Sequence, residues 1–238
     1  MLLTRIITVK KGPDANYSMS RAQACLSTIK RNELDAQLDI SIFDAFRPDQ
    51  ITEGDVRRYT YPLEGQSRKE RGMTLTGYKT SDIKKRIGCL LSHRSIWSES
   101  VNKQEPILIL EHDAAFTRKW NVQSTLDKLV DGDVLMINDP RRATRRSAVY
   151  HQNIVSHDFG IHPIDGVNEP HEDAPDGLAG NSAYIITPKS ATRALELIDE
   201  LGFWPNDALL CKQFFGSSLK SIYPYITRVD QQVSTTTD

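Results

Sequence analysis

Cysteine is scarce. Cys25, Cys89 and Cys211 are odd in number, far apart and in no metal-ligand or redox spacing, which sets aside a disulfide scaffold and reads them as reduced core residues. No apolar run approaches the length of a membrane span, and the opening MLLTRIITVKK is too short in its apolar part for a secretory leader. A cytoplasmic protein is the expectation. Neither the G-x-G-x-x-G fingerprint nor a Walker loop occurs, so dinucleotide-dependent dehydrogenases and phosphate-loop enzymes are set aside too. Net charge is almost absent, at −1, yet residues 57–86 hold nine basic and three acidic side chains while residues 158–176 hold six acidic and no basic ones. A basic face and an acidic loop follow from that asymmetry.

What is present is an ordinary globular composition, 39% hydrophobic and 26% charged, over 238 residues, enough to bury a full core in a single domain. The organising stretch is ILILEHDAAF, residues 107–116. Its four aliphatic residues read as a strand buried on both faces, as in the middle of a parallel sheet, and ligands collect at the carboxyl end of such strands. If strand geometry persists, Glu111 and Asp113 point to one side and His112 to the other. Two carboxylates at the lip of an apolar sheet need a proton, an arginine or a divalent cation, and oxygen ligands favour magnesium or manganese.

Along the chain, residues 5–9 read as a first buried strand, a helix capped by Ser18 or Ser20 follows, and residues 38–43 make a second strand; this is the opening of a doubly wound α/β nucleotide-binding sheet. Residues 47–80 read as a long irregular insertion of the functional kind. Asp82 caps an amphipathic helix with Ile83, Ile87, Leu90, Leu91, Trp97 and Val101 on one face and His93 at its border, where a half-buried packing residue is the ordinary outcome. Further expectations are a short helix at 126–130, a strand at 133–138, a loop at 151–177, a strand at 181–187, a helix with Thr187 as N-cap, Pro188 at its first position and Gly202 as its stop, and an edge strand at 219–227 broken by Pro224. RRATRR, at 141–146, sets Arg141, Arg142, Arg145 and Arg146 just after a strand, where arginines clamp phosphates and polyanions.

Taken together, GCLLSHRSIW (88–97), ILILEHDAAF, GNSAYIITPKSATRALE (180–196), PNDALL (205–210) and the closing IYPYITRVDQQVS resemble, in this order, glycosyltransferase family 25, which includes lipooligosaccharide and collagen galactosyltransferases. The resemblance covers most of residues 87–234 and leaves out 47–80. It implies a GT-A type, Rossmann-like, mostly parallel sheet flanked by helices, and a metal-assisted, inverting transfer from a nucleotide sugar, usually a UDP-sugar. Carried over, Glu111 and Asp113 match the acidic metal motif, with Mn2+ as the implied ion. Ser92 and His93 match the Ser-His pair, Gly180, Asn181 and Ser182 belong to a substrate-binding segment, and Asp207 matches the downstream acid. His112 departs from the family, which commonly has a further Asp there; the change leaves less negative charge for an ion.

Among these residues Asp207 is the expected general base and His93 its reserve, since metal coordination would lower the basicity of Glu111. The acceptor is expected to be a saccharide, of the lipopolysaccharide type, or a polyanion such as modified DNA; Arg141 and Arg142 would serve that acceptor or the donor diphosphate. Two other readings stay open: a nucleic-acid binding module built on the basic regions, and a degenerate transferase that binds sugar nucleotide without turnover.

Overall fold

The computed structural model describes residues 1–141, 146–166, 173–178 and 181–230. Arg142, Arg145 and Gly180, together with the closing QQVSTTTD, lie outside the described residues.

In chain order the elements are β1 (Leu2–Thr8), α1 (Ala15–Arg31), β2 (Leu38–Asp44), α2 (Glu53–Arg58), β3 (Ser67–Glu70), β4 (Met73–Thr76), α3 (Ile83–Lys103), β5 (Ile107–Glu111), β6 (Ala114–Phe116), α4 (Val122–Leu126), β7 (Val134–Met136), α5 (Ser147–Ser156), β8 (Gly160–Pro163), β9 (Ala183–Ile186), α6 (Pro188–Leu201), α7 (Asn206–Leu209), α8 (Lys212–Phe215), β10 (Leu219–Tyr223) and β11 (Thr227–Val229). Seven strands form one mixed sheet in the order β2-β1-β5-β9-β7-β10-β8. β2, β1, β5, β7 and β10 run one way, while β9 and β8 run against their neighbours. The expected mostly parallel sheet flanked by helices is therefore what the chain forms.

β5 shows why the sheet holds. Ile107, Leu108, Ile109 and Leu110 are all fully buried. Ile107 and Ile109 face the core shared with α3 and α6, whereas Leu108 and Leu110 face the core shared with α1. That is the period of two expected of a strand covered on both sides, and burying each side chain contributes roughly 2 kcal/mol.

Several boundaries differ from the sequence expectation, each for a local reason. α1 starts at Ala15, not after Ser18 or Ser20, and Ser18 sits inside the helix with its hydroxyl accepting from Val9 N at 2.9 Å. The short helix before β7 is Val122–Leu126, because Asn121 caps it by accepting from Ser124 N. Residues 151–177 are not all loop: α5 runs to Ser156 and β8 follows. Residues 219–227 do not form an edge strand. β10 lies between β7 and β8, the edge is β8, and the chain breaks at Pro224 before β11 pairs with β6. The insertion at 47–80 is also structured, with α2 and a β3–β4 hairpin whose Thr74 bonds Asp173 through both backbone and side chain. Asp82, Pro188 and Gly202 sit where the sequence places them, but the Thr187 hydroxyl donates to Asp133 O instead of capping α6.

Candidate active site

The carboxyl ends of β1, β2 and β5 come out on the same side of the sheet, because these three strands are mutually parallel. Above them lies a cleft of about 660 Å³ lined by Val9 and Lys11 after β1, Phe46 and Arg47 after β2, Glu111 to Asp113 after β5, and Lys85, Cys89, Ser92 and His93 from α3. Such a crevice is where ligands bind to open α/β sheets.

Two residues of α3 fix the wall of this cleft. Ser92 is fully buried; its hydroxyl accepts from Phe46 N at 2.9 Å and donates to Gly88 O at 2.8 Å. A Cβ on Gly88 would lie 2.5 Å from Phe46 O, so only glycine permits this approach. The expectation for Gly88→Ala follows from two opposed magnitudes. Helix propensity favours Ala by about 1 kcal/mol, but the forced backbone shift costs roughly 1–3 kcal/mol or more. The variant should melt several degrees lower, which calorimetry would read. An unchanged or higher Tm would show that the Phe46 loop yields without cost.

Glu111 and Asp113 do not both point to one side. β5 ends at Glu111, and the turn at His112 and Asp113 carries Asp113 toward α1, where it acts electrostatically on Cys25 and is acted on by Arg21. Glu111 stays on the α3 side, 3.4 Å from His93 Nε2. The two carboxylates nonetheless feel each other. Burial first, and then the Glu111 charge, push the Asp113 carboxyl up to about 7. Asp113 is only 4% exposed, and its Oδ1 has no hydrogen-bond partner among the described residues; neither does His112 Nε2. A buried, unpartnered carboxylate oxygen beside a second carboxylate is a fitting place for a hard divalent ion.

His93 is not at the half-buried border of its helix but fully buried. Trp97 Nε1 donates to the Tyr184 hydroxyl oxygen at 2.9 Å, and that hydroxyl lies 2.7 Å from His93 Nδ1. The other ring nitrogen, Nε2, faces Glu111. Asn206 Nδ2 lies 3.4 Å from Nε2, and the Asn206 amide oxygen accepts from the Cys89 thiol at 3.8 Å. Cys89, His93 and Glu111 do bring three ligand-type atoms within 4.8 Å of one another. Burial raises the Cys89 thiol above its ordinary range, so an ion bound there would have to displace the thiol proton.

Asp207 stands at the start of α7, and the Cys89 thiol feels both its charge and that of Glu111. Burial raises its pKa, Arg86 and an O–H donated by Tyr78 at 3.2 Å oppose the rise, and Glu111 adds to it. Of the remaining expected residues, Asn181 and Ser182 are buried at the amino end of β9. Asn181 Nδ2 donates to Asn206 O, and Ser182 O accepts from Glu111 N at 2.8 Å. Asn181 Oδ1 and Ser182 Oγ have no partner among the described residues. Arg141 does not line the cleft; its guanidinium is held by Asp139 through three N–H contacts of 2.5–3.0 Å. Sequence reasoning missed Lys11, Lys85, Arg86 and Tyr78, since no local pattern distinguishes them from surface residues.

A family model described as glycosyltransferase family 25 (LPS biosynthesis protein) matches residues 17–210, a span that includes 47–80 and ends before the closing motif. Among curated proteins no sequence matches significantly. Solved structures similar to the chain include an active-site mutant of LgtC, 11% identical with a TM-score of 0.43, covering 92% of this chain and 71% of that one. Galactosyltransferase LgtC with donor and acceptor sugar analogs is 12% identical, with a TM-score of 0.39 over 92% and 72% of the two chains. Mouse xyloside xylosyltransferase 1 is 9% identical, with a TM-score of 0.37 over 91% and 79%. No helix among the described residues is long and apolar enough to cross a membrane.

Proposed function

This chain belongs to glycosyltransferase family 25, and from that premise we propose that it moves a sugar from a nucleoside diphosphate sugar, a UDP-sugar in the first instance, to a hydroxyl of a saccharide acceptor with inversion. The observation that carries the reading is the unpartnered, buried Asp113 carboxylate beside Glu111, at the mouth of a cleft over the carboxyl ends of parallel strands.

Each side chain then has a task. Asp113 would hold a divalent cation, manganese in this reading, with the Glu111 charge nearby; when bound, the ion supplies the charge neutralisation that a departing nucleoside diphosphate needs. Lys11 and Lys85 bring further positive charge to the same cleft. His93 is a positioning residue, its Nε2 facing Glu111 and its ring held by Tyr184. Ser92 holds the cleft wall. Asp207 takes the proton of the acceptor hydroxyl as the new glycosidic bond forms on the face opposite the leaving diphosphate. Its partly buried setting keeps its proton affinity above that of a surface carboxylate, which suits a base. Arg141, already neutralised by Asp139, is left out of both donor and acceptor binding.

The test is hydrolysis of a panel of sugar nucleotides by the whole chain, with manganese and with a chelator. Slow, manganese-dependent release of nucleoside diphosphate from one donor is expected. Binding without release would assign a non-catalytic sugar-nucleotide binder, and neither binding nor release would overturn the reading.

A further inference from the structure

Beside Asp207, and outside the cleft just described, Arg86 is surrounded by tyrosines. Its guanidinium carbon stands 4.7 Å from the centroid of the Tyr78 ring. Tyr78 stacks on Tyr61 with centroids 5.1 Å apart, and Tyr59 is close enough for its hydroxyl to feel Arg86 first and then Tyr61 and Asp207. Tyr59 and Tyr61 come from the insertion after β2, Tyr78 from the segment after β4, Arg86 from the first turns of α3 and Asp207 from α7. Four separate pieces of chain thus converge on one spot. Burial raises the pKa of all three phenols, so they remain neutral O–H groups.

The arrangement is not explained by the needs of the fold. Arg86 Nε is buried and has no hydrogen-bond partner among the described residues. Stacking on Tyr78 uses the guanidinium face and none of its five N–H donors. A structural arginine in this position would be expected to chelate Asp207, as Arg141 chelates Asp139, yet Asp207 takes its hydrogen bond from Tyr78 and no ion pair joins it to Arg86 among the described residues. A fork of unpaired donors next to neutral phenol hydroxyls suits a ligand that has an oxyanion and further hydroxyl groups. A hexose bearing a carboxylate or a phosphate has both.

We propose that Arg86, with Tyr78, Tyr61 and Tyr59, forms an acceptor subsite that selects a sugar carrying an oxyanion and places its hydroxyl against Asp207. The inference rests on the reading of Asp207 as the acceptor base and adds the class of acceptor to it. One consequence favours the chemistry. A negative charge brought to Arg86 relieves Asp207 of part of the guanidinium's influence, and so strengthens the base at the moment the correct acceptor is seated.

The experiment is equilibrium binding of three probes to the whole chain in the presence of manganese and UDP: methyl β-glucuronide, glucose 6-phosphate and methyl β-glucoside. At least one charged probe should bind about tenfold or more tightly than the neutral one, and the two charged probes tell carboxylate from phosphate selection. Arg86→Gln should bring the charged probes down to the level of the neutral one while leaving binding of the neutral one where it was. Arg86→Lys, which keeps the charge but not the fork, should recover only part of the preference. The proposal is overturned if the wild-type chain binds neither charged probe better than the neutral one, a result that needs no variant to fold, or if Arg86→Gln keeps the preference. A chain that releases no nucleotide from any donor, yet prefers a charged sugar through Arg86, would sink the transfer reading and leave this subsite standing.

Discussion

Asp113→Asn should abolish sugar transfer and, in the metal-free protein at pH 8, raise the melting temperature above that of the wild type. The loss of transfer follows from removing a charge that faces the cation position while barely changing shape. The gain in stability follows from where the carboxyl sits. Burial and the nearby Glu111 charge push it from the ordinary 3.8 up to about 7, so the folded state binds this proton more tightly than the unfolded chain does. Such a group contributes its full stability below the unfolded pKa and loses it as pH rises through the folded one. The shift of about 3 units corresponds to a ceiling of roughly 4 kcal/mol, or several degrees in Tm for a chain of this length. Asn stays neutral and escapes that loss. The wild type should therefore soften between pH 5 and pH 8 more than the variant does, and manganese should stabilise the wild type alone. Near wild-type transfer by the variant at limiting manganese would move the metal site elsewhere, and parallel Tm profiles would refute the burial argument.

Asp207→Asn should lower turnover by about 10²–10⁴ and leave donor affinity where it was, because a base acts on the acceptor in the transition state and not on the nucleotide. The pH profile carries the sign. Burial raises the Asp207 pKa, so the acid limb of kcat/KM should lie above the ordinary carboxylate value, and rate should fall as pH drops through it. Tyr78→Phe removes the O–H that Asp207 accepts, and should move that limb higher still. A large loss of donor binding in Asp207→Asn, read by calorimetry, would place the residue in the donor pocket. An acid limb unmoved by Tyr78→Phe would show that the phenol has no hold on the base.

How much of this was legible in the chain depends on the range over which each feature is encoded. The place of Glu111 over the cleft was legible because an aliphatic run that stops at Glu111 is a local signal, and the carboxyl ends of mutually parallel strands come out on one side. That Asp113 turns toward α1 was not, since it depends on where the strand stops pairing. The antiparallel course of β9 was hidden for a similar reason: a run such as Ala183–Ile186 reads the same in either direction. His93 was misjudged because the stripe on α3 was drawn from apolar residues alone. The face buried against β9 also takes in Ser92 and His93, whose polar atoms are satisfied by Tyr184, Phe46 and Gly88 across long stretches of chain. Asp207 could be singled out only by family resemblance, and the tyrosines around Arg86 not at all, because spacing along the chain carries no trace of their meeting.

The position of β5 between β1 and β9 also sets an order of events during synthesis. β1 is already made when β5 emerges, but the strand that covers the other edge of β5 starts about 70 residues later, at Ala183. At about 5–20 residues per second, that edge of four aliphatic residues stands open on the ribosome for several seconds. Until Ala183–Ile186 docks, the nascent chain presents an unpaired apolar edge of the kind that recruits other strands. A chaperone dependence confined to this interval, or aggregation of chains halted within it, is the expected consequence of placing β5 in the middle of the sheet.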